Sequence, residues 1–247
     1  ALKMVQGRTL TPMGVEATWL DRIEAVPPGP AIILGNEYLD CLPVRQAVKK
    51  DGQWHERLIG LSEDGDDGFR FVMGPPLGAE ADLVPARLRD APEGTLVEIR
   101  PGDLQAVDAL TQRFAAHPGR ALFIDYGPAQ SEAGDTFQAI RNHEKADPLD
   151  APGQADLTAR VDFEQLALTA RAAGLDASEI VTQGDWLKRL GLEMRAAALI
   201  RSAPGQKTKI ARQVMRLTEP DQMGELFKVV TLSTPGLPNP PGFAAHA

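Results

Sequence analysis

Two carboxylates with the chemistry to hold a cation follow an early apolar run of the chain. Glu37 and Asp40 come directly after residues 31–34, and their spacing would place both on one face of a helical turn. Paired carboxylates can bind a guanidinium through charge-assisted, bidentate hydrogen bonds. The alternative is a helix N-terminus, in which Asn36 is the cap and Glu37 stabilises the first turn against the macrodipole.

A second group of polar candidates lies further along the chain. Asp125 and Tyr126 follow an apolar run at 121–124, where they would line a cleft, and the alternative for Asp125 is to cap the following turn. His143 is a candidate acid or base because imidazole titrates near neutral pH, and its alternative is a structural hydrogen bond. Residues 156–158 are interpreted as an element that orders a loop before a helix, and the alternative is a reactive group.

These candidates need a sheet to position them. Ala31 to Leu34 and Ala121 to Ile124 are short apolar runs bounded by turn formers, which predicts fully buried parallel strands. The alternation of strands and helices predicts an α/β fold with a mostly parallel sheet and with ligands at the carboxyl ends of its strands. The other predicted elements are strands over residues 15–19, 179–182 and 227–232 and helices over residues 103–116, 163–173, 186–200 and 209–217.

A stretch of different character interrupts this pattern between residues 44 and 73. Three runs are joined by Asp51-Gly52 and by residues 64–68, and Asp-Gly between alternating runs is the strongest short signal for a hairpin. We therefore predict an antiparallel insertion that stands off the core sheet and contacts the substrate protein or a second subunit. Trp54 and His55 are expected on its surface, and residues 74–92 are predicted as loop.

Composition argues against several classes of function. The net charge of −8 argues against nucleic-acid binding, because phosphate contacts need clustered Lys and Arg. No apolar stretch is long enough to span a membrane. The four His residues lack ligand spacing, so no metal site is predicted. The single cysteine, Cys41, is expected to be a small buried hydrophobe in a reducing compartment.

Several motifs in register resemble the MidA-like family of methyltransferases. Residues 36–44 (NEYLDCLPV) resemble the family signature of Asn-Glu, an aromatic residue, an apolar residue and Asp-Ala-Leu-Pro-Val. Further segments agree in order and spacing, and the resemblance covers essentially the whole chain. They are residues 123–127 (FIDYG), 134–137 (GDTF), 141–143 (RNH), 152–163 (PGQADLTARVDF), 182–184 (TQG) and 223–227 (MGELF).

The resemblance implies a class I methyltransferase fold, which is a Rossmann-like, mostly parallel sheet that binds S-adenosylmethionine. It also implies a protein substrate and arginine methylation, because the family includes the mitochondrial arginine methyltransferase needed for assembly of respiratory complex I. Under this reading the catalytic residues are Glu37, Asp40 and His143, and the cofactor contacts are Asn36, Glu37, Asp125 and Tyr126.

The glycine-rich cofactor loop of the family does not occur in this sequence. The first residues are typical of a helix interior, so we expect the chain to start partway into the cofactor-binding domain. This divides it into part of the methyltransferase core (1–43), the insertion and a loop (44–100), and the rest of the core (101–247). We expect negligible cofactor binding by this fragment, and micromolar-range binding once upstream residues are restored.

Two other classes of function stay open. A non-catalytic assembly factor would keep the fold and bind a partner through the insertion, and measurable methyl transfer separates the two. A nucleotide-dependent oxidoreductase would need a Gly-x-Gly-x-x-Gly turn upstream, and nothing in the sequence supports it. The expected compartment is the cytoplasm in a bacterium or the mitochondrial matrix in a eukaryote. The oligomeric state, including a homo-oligomer, stays open.

Overall fold

The structure is a computed structural model and describes residues 2–62 and 68–243. Within these ranges the α-helices are α1 Leu2–Leu10, α2 Pro101–Ala116, α3 Phe163–Ala172, α4 Gln183–Arg189, α5 Leu192–Ser202, α6 Lys207–Thr218 and α7 Met223–Leu226. The β-strands are β1 Ala31–Asn36, β2 Arg45–Lys50, β3 Gln53–Leu61, β4 Phe69–Pro76, β5 Leu96–Ile99, β6 Gly119–Tyr126, β7 Gln138–Arg141, β8 Glu144–Ala146, β9 Asp156–Thr158, β10 Asp176–Ala177, β11 Val181–Thr182 and β12 Phe227–Ser233.

The central sheet is mainly parallel in strand direction. β1 pairs with β6 in parallel, and β12 pairs antiparallel with β6 on one side and with β10 and β11 on the other. Four of the five strands therefore run in the same direction, and only β12 is reversed. The predicted α/β class with a mostly parallel sheet is confirmed.

Two helices cover one face of this sheet and form its core with it. Val107 and Phe114 of α2 and Phe163 of α3 pack with Phe123 of β6 and Val230 of β12 in one buried cluster. Local capping sets the start of α3, because the side chain of Asp162 accepts a hydrogen bond from the backbone N–H of Gln165 at 2.9 Å. The carboxyl ends of β1 and β6 meet at the same edge, since Asn36 is paired with Ile124.

The other face of β1 is not covered by the described residues. Ile32 is 84% exposed and Leu34 is 73% exposed, so the prediction of a fully buried strand at 31–34 was wrong. The strand itself and its parallel pairing with β6 are as predicted. An apolar run marks a strand in an α/β sheet, but it does not say whether both faces are packed.

The predicted antiparallel insertion forms a separate four-stranded sheet with the order β4-β3-β2-β5. The Asp51-Gly52 turn between β2 and β3 has positive φ at both residues, as a two-residue hairpin requires. Trp54 is 5% exposed in the core of this sheet, so its predicted surface position was wrong. Burial removes the large apolar ring of Trp54 from water, which stabilises the fold more than an exposed position on the hairpin would. The predicted turn at residues 64–68 lies, except for Gly68, outside the described residues.

Three further expectations differ from the structure. Residues 15–19 form no strand, and the helix predicted at 186–200 is two helices, α4 and α5, because Gly191 between them adopts φ +83. A third sheet with the order β8-β7-β9 was not predicted, because each strand has only three or four residues. None of the described helices combines the length and the apolarity that a membrane crossing needs.

Candidate functional site

The turn after β1 is held by a buried carboxylate from the neighbouring strand. Asp125 is 1% exposed, and its Oδ2 accepts hydrogen bonds from the backbone N–H groups of Tyr38, Leu39 and Asp40 at 3.1, 2.9 and 3.2 Å. Its Oδ1 accepts a bond from the N–H of Tyr126 at 2.9 Å. Asp125 therefore fixes the backbone on which Asp40 stands, as a positioning residue.

This arrangement replaces the helix expected after β1. Residues 37–42 form turns and bends, so neither the helical turn that would align Glu37 with Asp40 nor a helix capped by Asn36 is present. Both interpretations of a helix were wrong, because Glu37 adopts φ +49, outside the right-handed helical region, and Pro43 has no N–H with which to continue a helix. Capping by Asp125 was predicted, although for the turn after its own strand rather than for the turn after β1.

A short chain of side-chain hydrogen bonds extends from Tyr126. Its hydroxyl donates to Oγ1 of Thr158 at 2.6 Å and accepts from Nε2 of Gln138 at 3.2 Å. Asp40, which is 6% exposed, lies close to the Tyr126 side chain, whose hydroxyl proton is donated to Thr158. Thr158 lies on β9 and Gln138 on β7, where the two residues are paired, so the third sheet supplies this side of the site.

Burial shifts the pKa values of two carboxyl groups of the site, those of Asp125 and Asp40. Burial raises the pKa of Asp125 to about 6, together with the charge of Asp40 and against its backbone hydrogen bonds. Burial also raises the pKa of Asp40, and the nearby charges of Glu37 and Asp156 act in the same direction against the influence of the Tyr126 hydroxyl. Titratable groups perturbed by burial and by specific neighbours are typical of functional sites.

The turn carrying Asp40 is anchored from two further sides. Arg100 donates to the backbone carbonyl oxygens of Leu39 at 2.5 Å and of Arg160 at 2.9 Å, and it is paired with Asp103 at 2.7 Å in a buried ion pair. The N–H of Ala159 donates to the carbonyl oxygen of Asp40 at 3.0 Å. Arg100 thus ties the turn after β1 to the segment that follows β9.

Residues 134–137 link the insertion to this site. Asp135 accepts hydrogen bonds from Arg57 at 2.6 Å and from Gln46 at 2.8 Å, and both partners belong to the insertion sheet. Thr136 donates to Glu98 of β5, and its hydroxyl oxygen accepts a bond from the N–H of Arg160 at 2.8 Å. These contacts hold Arg160, two positions after Thr158, and the segment 134–137 therefore has a structural role in the site.

The predicted site residues divide into a cluster and one distant residue. The structure brings together Asn36, Glu37, Asp40, Asp125 and Tyr126 at the carboxyl ends of β1 and β6, and Nδ2 of Asn36 donates to Oε1 of Glu37 at 3.3 Å. Their assigned roles stay predictions. Glu37 is exposed and adopts φ +49, a strained conformation for a residue other than glycine that recurs at functional sites.

His143 lies away from this cluster. It is exposed in the tight turn between β7 and β8, with φ +66, beyond the end of β7 that is opposite to Gln138. Three residues of strand separate Gln138 from the turn, which corresponds to about 10 Å. The role of His143 as an acid or base stays a prediction, and no contact with the acidic residues of the site supports it in the described part of the chain. Cys41 is exposed rather than buried, because its turn lies at the sheet edge.

Sequence reasoning did not single out three residues that build the site. Thr158 and Gln138 hydrogen-bond to Tyr126, and Arg100 donates to the carbonyl oxygen of Leu39 in the turn after β1. The segment containing Thr158 was noted as an ordering element, which agrees with its place on β9. No local pattern marks Gln138 or Arg100, because the bonds that place them in the site join Gln138 to Tyr126, 12 positions away, and Arg100 to Leu39, 61 positions away.

A polar cleft of ≈ 420 Å³ borders the site. The cleft is lined by Gln138, which is paired with Thr158 across β7 and β9, and by Arg160, which follows β9. Glu98, Glu132 and Asp135 also line the cleft. Arg100 and Lys145 also line it, so the cleft is of mixed charge, and it is suitable for a polar chain that approaches the turn.

Comparison with known proteins supplies the family. A family model described as a putative S-adenosyl-L-methionine-dependent methyltransferase matches residues 1–181. The chain belongs to this family. Among curated relatives, it is 36% identical over 230 residues to the protein arginine methyltransferase NDUFAF7 homolog, mitochondrial, of Drosophila melanogaster, covering 90% of this chain and 51% of that protein. It is 32% identical over 226 residues to the human protein arginine methyltransferase NDUFAF7, mitochondrial, covering 90% of this chain and 50% of that protein.

Solved structures agree with the family assignment. A COG1565 superfamily protein from Burkholderia thailandensis superposes with a TM-score of 0.81 at 29% identity, covering 99% of this chain and 64% of that chain. A second COG1565 member from the same species, described as a likely methyl transferase bound to S-adenosyl-homocysteine, gives a TM-score of 0.80 at 28% identity and covers 98% of this chain and 61% of that chain. The chain spans about half the length of the curated relatives it matches.

The residues present fit part of a site for the cofactor of this family. Asn36 and Glu37 are exposed at the carboxyl end of β1, which is where a doubly wound sheet binds its ligands. The carboxylates of Glu37 and Asp40 complement the positive charge of a sulfonium. The family's glycine-rich loop is not in the sequence, so the affinity of this chain for the cofactor stays a prediction.

Proposed function

We propose that this protein is an S-adenosylmethionine-dependent methyltransferase that methylates arginine on a partner protein. The observation that carries the proposal is the acidic turn after β1, in which exposed Glu37 and largely buried Asp40 stand at the carboxyl end of the sheet. Family membership supports the methyl donor, and the names of the curated relatives support arginine as the acceptor.

The two carboxylates suit a guanidinium in complementary ways. Glu37 is open to solvent and can meet the incoming cation, whereas Asp40 is shielded, so its attraction for a cation is less screened by water. The raised pKa of Asp40 also makes this carboxylate a better proton acceptor than an exposed one. In the proposal Glu37 binds and orients the guanidinium, and Asp40 receives the proton that the methylated nitrogen releases.

The remaining residues of the site keep this geometry. When bound, the cofactor supplies an activated methyl group, so the chain itself must align the acceptor and exclude water. Asp125 and Arg100 hold the turn by their bonds to its backbone, and Thr158 and Gln138 hold the Tyr126 side chain. Fixing the carboxylates in advance lowers the cost of ordering them in the transition state.

The finer assignments extend this proposal. Relatives named as mitochondrial arginine methyltransferases suggest a subunit of the respiratory complex I type as the substrate, in line with the family resemblance. The corresponding compartment is the mitochondrial matrix in a eukaryote and the cytoplasm in a bacterium. We further propose that residues 44–100 form the insertion that contacts the partner.

The test is methyl transfer from S-adenosylmethionine that carries a deuterated methyl group. The full-length protein is incubated with arginine-containing and matched lysine-containing peptides, and mass spectrometry locates the label. The proposal expects labelled methyl groups on arginine nitrogens alone. Label on lysine would contradict the arginine assignment. Peptide binding without any label would favour the non-catalytic assembly factor.

A further inference from the structure

The charge of this chain is distributed unevenly, and one helical hairpin is strongly basic. We call α5 and α6 with their connection, residues 192–218, the basic hairpin. It carries six of the 26 Lys and Arg residues of the chain but only one of its 34 Asp and Glu residues, Glu193, whereas the whole chain has a net charge of −8. The cations are Arg195, Arg201, Lys207, Lys209, Arg212 and Arg216, and all six are exposed.

These cations have no partner of opposite charge in the part of the chain that the structure describes. None of the six forms an ion pair or a side-chain hydrogen bond with residues 2–62 or 68–243. Some other surface cations of the chain are paired, for example Lys3 with Asp21 and Arg189 with Glu179. Isolated cations such as Arg8 and Lys50 also lack a partner among the described residues, but the basic hairpin gathers six of them on two helices that contact each other.

The placement of the charges on α6 works against the helix itself. Lys209, Arg212 and Arg216 follow one another at intervals of three and four residues, so they form one stripe of like charges. Lys207 and Lys209 also lie in the first turn, which has no acidic residue and no capping side chain, and cations at this end oppose the helix dipole. Charges that destabilise a helix and are not balanced by other contacts within the protein are typical of functional positions.

An anionic membrane does not match this surface. Apart from the exposed Ala211 and Met215, the apolar residues of α6 are Ile210, Val214 and Leu217, and these three are half-buried in a helix that contacts α4, α5 and α7. A helix that lies in a membrane interface needs its apolar face free to enter the lipid. Here that face is already used within the protein.

A nucleic acid is also a poor match. The basic hairpin contains no Phe, Tyr or Trp on which a base could stack, and the chain as a whole is acidic. The exposed large apolar side chains of the hairpin are instead Met194, which is 76% exposed, Met215, which is 58% exposed, and Leu199, which is 38% exposed. Arg and Met are enriched in the contact surfaces between proteins, and the guanidinium fork binds carboxylates in a bidentate manner.

We propose that the basic hairpin is a docking surface for an acidic protein segment in which carboxylates alternate with apolar side chains. The carboxylates pair with the stripe of α6, and the apolar side chains contact Met194 and Met215. The inference does not rest on methyl transfer, because it concerns a surface formed by α5 and α6 and is measured without cofactor or turnover.

The test is fluorescence anisotropy with the full chain and a labelled 20-residue peptide of repeated Glu-Glu-Leu-Glu. The control peptide carries Gln in place of every Glu. The variant Arg212→Gln/Arg216→Gln removes two cations from the stripe and keeps helix propensity, since Gln and Arg are similar in this respect. The matched control, Arg8→Gln/Lys50→Gln, removes two exposed cations from α1 and β2.

The proposal expects binding of the acidic peptide, weaker binding as salt rises, and no binding of the control peptide. The α6 variant should lose about tenfold or more in affinity, and the matched control should bind like the wild type. Equal losses in both variants would overturn the proposal, because they would reflect net charge alone. It would also be overturned if vesicles with phosphatidylserine or a single-stranded RNA bound through the same two arginines more tightly than the peptide. Circular dichroism checks that both variants remain folded.

Discussion

Asp125 shows how one side chain decides the shape of the candidate site. The sequence places Glu37, Asp40, Asp125 and Tyr126 after two apolar strands, and the structure brings these residues together. The helical turn expected at Glu37 is absent, because Glu37 has φ +49, and Asp125 accepts the backbone N–H groups of Tyr38 to Asp40 in the turn that forms there. These bonds span 85 to 87 positions of the chain, so no local pattern encodes them.

The raised pKa of Asp125 predicts a pH dependence of stability. Since this pKa is about 6 in the folded protein, the native state binds more protons than the unfolded chain between about pH 4 and pH 6. The free energy of unfolding should therefore fall as the pH rises through this window, by about 3 kcal/mol from this group. Urea unfolding of wild type and Asp125→Asn at several pH values measures the difference. If the free energy of unfolding changed with pH equally in both proteins, the raised pKa of Asp125 would be contradicted.

At the scale of elements, predictability follows the length of the element and the range of its contacts. The parallel strands β1 and β6 and the hairpin between β2 and β3 were predicted, because apolar runs and Asp-Gly turns are local signals. The strands β7, β8 and β9 were missed, since three or four residues carry too little periodicity. The exposed face of β1 was missed because a strand's apolar character does not report what covers it.

The junction between β6 and the segment before α3 offers a test of this packing. A Cβ at Gly127 would lie 2.0 Å from the backbone oxygen of Val161, whose N–H donates to Tyr126 at 3.0 Å. Gly134 also has a positive φ, of +149, but a Cβ there meets nothing within 4 Å. Gly127→Ala should therefore lower the free energy of unfolding by about 2 kcal/mol or more beyond Gly134→Ala. Chemical denaturation measures the free energy of unfolding of both variants. Equal losses would contradict the prediction, because they would mean that the strain of a positive φ, and not the contact with Val161, sets the cost.

At the scale of the whole molecule, a methyltransferase family fold carries two surfaces of opposite charge. The turn after β1 is acidic, and the basic hairpin lies on separate helices. The fold class followed from the alternation of elements in the sequence. The charge asymmetry was also visible in the sequence, but its lack of intramolecular partners required the structure, because ion pairs form between distant residues.

The central claim is that Glu37 and Asp40 bind the guanidinium of an acceptor protein. Its most direct test compares methyl transfer and thermal stability of the full-length wild type with Glu37→Gln and Asp40→Asn. Glu16→Gln serves as the control, because it removes an exposed carboxylate from an irregular segment outside the site.

The account predicts that each site variant keeps the fold but loses a charge-assisted contact worth about 2 to 4 kcal/mol in the transition state, or roughly thirtyfold to a thousandfold in kcat/KM. The control should retain wild-type rates. Near-normal turnover with a lowered melting temperature in the Glu37 and Asp40 variants would contradict the claim, and it would leave both carboxylates as structural residues of the turn.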